Sequence, residues 1–175
     1  MVNFALPALA TLALASIAGA APTAAAAEVF TFSAWVEGII ANPDGDNLTP
    51  EEAVEAWRAS KNITDVAAGT SLEKRASCNT MPGREAWIPD AVYCINYLAG
   101  KGSTRCEVRY DVDFCTAARA KIFGRGPGTA TVASSCNDVA RGAGYIMDSC
   151  SRADNTVMGS EYAHGNGDLL VWIVN

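Results

Sequence analysis

Arg105-Cys106-Glu107-Val108-Arg109-Tyr110-Asp111-Val112-Asp113-Phe114 alternates polar and apolar side chains without a break. Successive side chains on a strand point to opposite faces. This period of two therefore predicts an antiparallel strand, with Cys106, Val108, Tyr110, Val112 and Phe114 on a covered face and the charged residues on a wet one. The cover is found on either side in the sequence. Upstream, Ala91, Cys94, Ile95 and Leu98 recur at helical spacing between Pro89-Asp90 and the Gly100-Lys101-Gly102 stop. Downstream, Ser135 is a helix N-cap with Asp138 three residues on, and Val139, Ala143, Ile146 and Cys150 form an apolar stripe.

Ala120–Phe123 and Thr129–Ala133 flank the turn-rich Gly124-Arg125-Gly126-Pro127-Gly128 and read as a hairpin. Asp168–Val174 is apolar on both faces, which predicts a strand buried on both sides. The order helix, three strands, helix, strand gives an α+β protein: a disulfide-bonded α/β sandwich, its sheet mostly antiparallel, with two helices on one face. The last strand is expected to join the sheet by a right-handed crossover through the second helix.

All six cysteines (Cys78, Cys94, Cys106, Cys115, Cys136 and Cys150) fall after residue 75, an even set that reads as a disulfide framework. Two pairings are excluded by geometry. Cys136 and Cys150 end one predicted helix and would lie roughly 21 Å apart at about 1.5 Å per residue, beyond the ~7 Å a bridge tolerates. Cys106 and Cys115 are an odd number of residues apart, so on a continuous strand they face opposite ways. The second helix is therefore expected to be tied at both ends to other elements, with Cys78, Cys94, Cys106 and Cys115 available.

The net charge of −6 is regional. Residues 28–75 hold nine acids against Arg58, Lys61, Lys74 and Arg75, whereas residues 76–175 are nearly neutral. No basic stripe is present to neutralise phosphates, so nucleic acid is not an expected partner. Residues 1–20 are apolar and uncharged and end in Ala18-Gly19-Ala20, which reads as a signal peptide, with cleavage after Ala27 as the alternative. Residues 21–75 read as an acidic helical pro-peptide. Phe32, Trp35, Val36, Ile39 and Ile40 mark one helix; Thr49-Pro50-Glu51-Glu52 starts another with a capping box. The polar stretch between them fails as a calcium loop, because Asn47 stands where glycine is needed and Ala53 where the closing glutamate is needed. Lys74-Arg75, directly before the first cysteine region, reads as a dibasic processing site, leaving 76–175 as the mature domain of a secreted, monomeric protein. If the front segment stays attached, its Trp35/Ile39 and Val54/Trp57 faces must cover a surface of the disulfide domain.

Catalytic residues are sparse. With every cysteine expected in a bridge, no thiol is left as nucleophile, and the single histidine, His164, is too little for a metal site. His164 with Glu161 or Glu107 could form a general acid–base pair of a hydrolase or nuclease; a surface histidine in a glycine-rich turn is the simpler reading. Asp111 and Asp113 read as a solvated strand face. Gly124–Gly128 lacks the Lys and Ser/Thr of a phosphate loop. Trp87 reads as core, and Tyr93 and Tyr97, four apart on the first helix, as an exposed stripe. No cofactor or metal is expected.

Ser135-Cys136-Asn137-Asp138-Val139-Ala140-Arg141-Gly142-Ala143-Gly144-Tyr145-Ile146-Met147-Asp148-Ser149-Cys150, followed by Gly159 and Gly165-Asn166-Gly167-Asp168-Leu169-Leu170-Val171, resembles the C-terminal half of small secreted fungal proteins. These include necrosis-inducing extracellular effectors of plant pathogens and, more distantly, smut-fungus killer toxins. The resemblance covers residues 76–175 and implies a disulfide-held α/β sandwich that acts in toxicity or host interaction without catalysis. The implied partner is a protein, membrane or cell-wall target. Those toxins act through exposed lysines, and the mature region keeps only Lys101 and Lys121. A structural wall or surface protein is the remaining class.

Overall fold

The computed structural model describes residues 29–64 and 76–175. In chain order the elements are α1 (Phe32–Ala41), α2 (Pro50–Thr64), β1 (Ser77–Cys78), β2 (Ala86–Trp87), α3 (Ile88–Gly100), β3 (Arg105–Val108) and β4 (Asp111–Ala117). They continue with β5 (Ala120–Arg125), β6 (Val132–Ser135), α4 (Cys136–Cys150), β7 (Thr156–Val157), β8 (Gly159–Tyr162) and β9 (Leu170–Val174). A five-stranded sheet in the order β1-β8-β9-β5-β4 is antiparallel throughout; β2 pairs with β7 and β3 with β6 in two small ladders. Helices α3 and α4 lie on one face of the large sheet, giving the α+β sandwich its second layer.

Local chemistry sets the two central helices. The Ser135 hydroxyl accepts the Asp138 N–H at 3.1 Å and starts α4. At the head of α3, Asp90 accepts the Arg119 N–H at 3.0 Å, fixing the helix to the β4–β5 turn. Helix α4 is thin where it is gripped. A Cβ on Gly142 would stand 2.9 Å from the Tyr162 carbonyl oxygen of β8, and one on Gly144 would stand 3.2 Å from the Ser33 Cα of α1. Glycine at these two positions lets backbone approach backbone on both sides of one helix.

Three bridges staple this unit: Cys78–Cys150, Cys94–Cys115 and Cys106–Cys136. Helix α4 is thus tied at its start to β3 and at its end to β1. Neither geometrically excluded pair occurs, but the parity argument for Cys106 and Cys115 rested on a continuous strand that does not exist. The alternating run 105–114 breaks at Arg109-Tyr110 into β3 and β4, which belong to different sheets. The Gly126 N–H donates to the Tyr110 carbonyl and the Gly128 N–H to the Arg109 carbonyl, at 2.7 and 2.8 Å, holding that bend. Tyr110 and Val112 are consequently 65% and 41% exposed rather than covered. A bulge at Phe114 then resets the register, placing Cys115 opposite Ile122.

Other expectations are corrected as well. Ala120–Phe123 pairs with β4 across the tight Ala118-Arg119 turn, while the strand after Gly128 pairs with β3, so the expected hairpin does not form. Strand β9 runs antiparallel to both β5 and β8, so no right-handed parallel crossover is needed. Nor is β9 buried on both sides: Val171 and Ile173 are fully buried, whereas Leu170, Trp172 and Val174 are half-buried on the face away from α3 and α4.

The front segment is not separate from the fold. Helices α1 and α2 form a hairpin that packs on the outside of α3 and α4 as a third layer. Thr31 caps α1, and Thr49 and Glu52 close the expected capping box on α2, at 2.9 and 3.3 Å. The loop between them is a polar turn, with the Asn47 amide donating to the Asn42 carbonyl. Phe32, Trp35, Val36, Ile39, Val54 and Trp57 are buried in the same hydrophobic core as α3, α4 and the sheet. Burying a side chain of this kind contributes about 1.5–3 kcal/mol, so six together rival a typical domain stability of about 5–15 kcal/mol. Lys74 and Arg75, and the leader, lie outside the described residues.

Candidate functional site

Among the described residues no helix covers the face of the large sheet away from α3 and α4. Cross-strand partners Phe123 of β5 and Trp172 of β9 stack there, ring planes 6° apart and centroids separated by 6.2 Å. The Arg125 guanidinium lies 5.7 Å from the Phe123 ring and 6.0 Å from that of Trp172, within cation–π range. Asp111 of β4 holds it with two hydrogen bonds of 2.8 Å, and the same contact keeps the Asp111 carboxyl below the usual carboxylate range. Met81, Arg84, Met158 and Val174 complete a hollow of about 420 Å³ over this platform. The Trp172 indole N–H is buried and has no partner among the described residues. An aromatic plane and a fixed cation suit binding of a ligand or protein surface.

Each of the two strand aspartates is paired with a base. Asp111 is committed to Arg125, and Asp113 meets Lys121 at 2.9 Å. Nothing in the sequence signals the platform, because β9 reads as uniformly apolar and the Phe123–Trp172 register depends on the fold.

His164 and Glu161 do line one cleft, of about 470 Å³, together with Tyr145, Tyr162 and Asn166. The His164 side chain is exposed, and its backbone N–H donates to the Asp138 carbonyl at 3.1 Å. One Glu161 oxygen accepts the N–H of Tyr162 at 2.8 Å; the other is buried without a partner among the described residues. Glu107 is not part of this cleft: on β3 it pairs with Arg105 at 2.7 Å.

Tyr93, Tyr97 and Trp87 lie away from both of these hollows. Tyr93 and Tyr97 are 56% and 46% exposed along α3, beside Asp113 and Thr116, with the Lys101 ammonium 4.7 Å from the Tyr97 ring. Trp87 is half-buried under the Arg119 guanidinium, 4.3 Å away. In the Gly124–Gly128 loop the Gly126 and Gly128 amides are spent on the Arg109-Tyr110 bend, and a Cβ on Gly124 would meet the Phe114 ring at 2.5 Å. Among the described residues no group of three His, Cys, Asp or Glu side chains could hold a metal ion, and no helix is long and apolar enough to cross a membrane.

No curated protein and no solved structure matches the chain. Residues 73–175, the disulfide-bonded unit and more than half of the chain, match a domain of unknown function, and the chain belongs to that family, DUF8794.

Proposed function

We propose that this protein is a secreted fungal effector or toxin-like protein that acts by binding a host or competitor target, without catalysis. The observation that carries the reading is the sheet face away from α3 and α4, where Phe123, Trp172 and Arg125 form an aromatic–cationic platform that no helix among the described residues covers. Aromatic residues and arginine are the groups that dominate binding energy when a partner desolvates them. Three bridges suit an oxidising compartment. The sequence resemblance of Ser135–Cys150 and the following glycine-rich link supports the effector or toxin class.

A secreted hydrolase or nuclease is the second reading, favoured by one observation: His164 and Glu161 share a cleft. Purified protein applied to plant tissue and to competing fungi separates the two. Binding through the platform predicts that Phe123→Ala with Arg125→Ala abolishes lesions or growth inhibition while circular dichroism is unchanged, and that His164→Ala retains them. Activity lost only in His164→Ala would replace the binding reading with the hydrolytic one.

A further inference from the structure

The hairpin α1–α2 is seated on the disulfide unit without a covalent bond at the contact, since all three bridges join residues within 78–150. The seat has specific polar fittings as well as apolar area. The Phe32 and Ser33 N–H groups, at the start of α1 where a helix offers unpaired donors, donate to the two Asp148 carboxylate oxygens at 2.6 and 3.0 Å. Arg141 reaches both Glu37 oxygens, at 2.7 and 3.0 Å, while Asp138 steadies the same guanidinium at 2.8 Å. On the second helix, Arg58 donates twice to the Asn155 side-chain oxygen, at 3.1 and 3.2 Å. Gly144 leaves room for the Ser33 backbone. Every receiving residue (Asp138, Arg141, Gly144, Asp148, Asn155) lies inside the family's shared unit, which begins at residue 73, and every seated residue lies outside it. The unit therefore carries a shaped receptacle for an amphipathic helix whose first turn is free and whose second turn offers a carboxylate.

We propose that α1–α2 is a subunit held by this seat rather than by its backbone link: once the chain is cut between residues 64 and 76, where the sequence offers Lys74-Arg75, the hairpin stays bound on α3–α4 as a separate chain. Its removal would bare the helix face that Phe32, Trp35, Val36, Ile39, Val54 and Trp57 now cover, an apolar area that water penalises. The processed molecule is then a two-chain complex, and the sheet platform rather than α3–α4 is what it presents to a target. This holds whether the platform binds or the His164 cleft hydrolyses.

The test uses the full chain with a sequence-specific protease site inserted between Thr70 and Ser71. After complete cleavage under non-reducing, native conditions, both fragments should co-elute at one-to-one stoichiometry and separate only in denaturant. Arg141→Ala should speed release of the hairpin by about tenfold or more, as expected for truncating one partner of a fixed charge pair. Release of the hairpin from the cut wild-type protein, whether the larger fragment stays soluble or precipitates, overturns the proposal. Retention that Arg141→Ala and Asp148→Ala leave unchanged overturns the assigned seat.

Discussion

Residues 76–175 and residues 29–64 contribute to one hydrophobic core by different means. The first region is closed by three bridges spanning 72, 21 and 30 residues, which limit how far its unfolded chain can spread. The second has no bridge among the described residues and is held by seven buried apolar side chains, the Asp148 carboxylate at the start of α1, the bidentate Glu37–Arg141 ion pair and the Arg58–Asn155 hydrogen bonds. The difference teaches that covalent closure and core membership are separate properties here. A segment can be integral to packing and still be detachable in principle.

The largest effect that would break this contrast is reduction. Each native bridge in a small disulfide domain is worth about 2–5 kcal/mol, so loss of all three is comparable with the whole stability. Excess reductant at 37 °C should abolish the near-native circular dichroism. Persistence of that spectrum would mean that packing alone holds the unit and that the two regions do not differ as described. Phe32→Ala should come next. Phe32 is fully buried at the meeting of α1 and α2, against Trp35 and Trp57, and truncating such a ring costs about 3–5 kcal/mol. Hydrogen exchange should then accelerate in α1 and α2 well before the sheet amides respond; uniform acceleration would show that the hairpin and the stapled unit unfold together.

Acid provides the finest discrimination. The Arg141 hydrogen bond holds the Glu37 carboxyl below its ordinary value. Burial works against ionisation of Asp138, but the Ser135 hydroxyl and Arg141 outweigh it and hold that carboxyl low too. A carboxyl with a lowered folded pKa stabilises the fold above its unfolded value and loses that contribution as pH falls through the folded one. The urea midpoint should therefore fall on acidification below about pH 4.5, and Arg141→Met should flatten the decline. Burial pushes Asp148 the other way, and that contribution is common to both proteins. An identical pH profile for wild type and Arg141→Met would remove the ion pair from the interface.

The parts of the fold visible in the sequence were those set by neighbours along the chain. Ser135 and the stripe Val139, Ala143, Ile146 define α4 within a few turns, and Thr49 with Glu52 defines the start of α2. The parts that were hidden depend on distant contacts. The alternation of 105–114 is faultless, yet the chain leaves one sheet for another at Arg109-Tyr110 because loop amides from Gly126 and Gly128 fasten it there. The real β4–β5 turn uses Ala118 at φ 26°, with no glycine to announce it, while the glycine-rich loop nearby drew the hairpin assignment instead. Two-residue strands such as β1, β2 and β7 carry no period at all. The pairing of Phe123 with Trp172 brings together residues almost fifty apart, so the platform existed only once β5 and β9 were neighbours.

The position of Cys78 has a mechanical consequence. Strand β1 is only two residues long and forms the outer edge of the large sheet, held to β8 by a ladder too short to resist a pull. The Cys78–Cys150 bridge stands at that edge and connects it to the end of α4. Tension arriving along the chain from the N-terminal side is therefore carried into the helix layer and does not peel the sheet open from its margin. The stapled unit can be tugged, tethered or severed ahead of residue 76 without its strands unzipping.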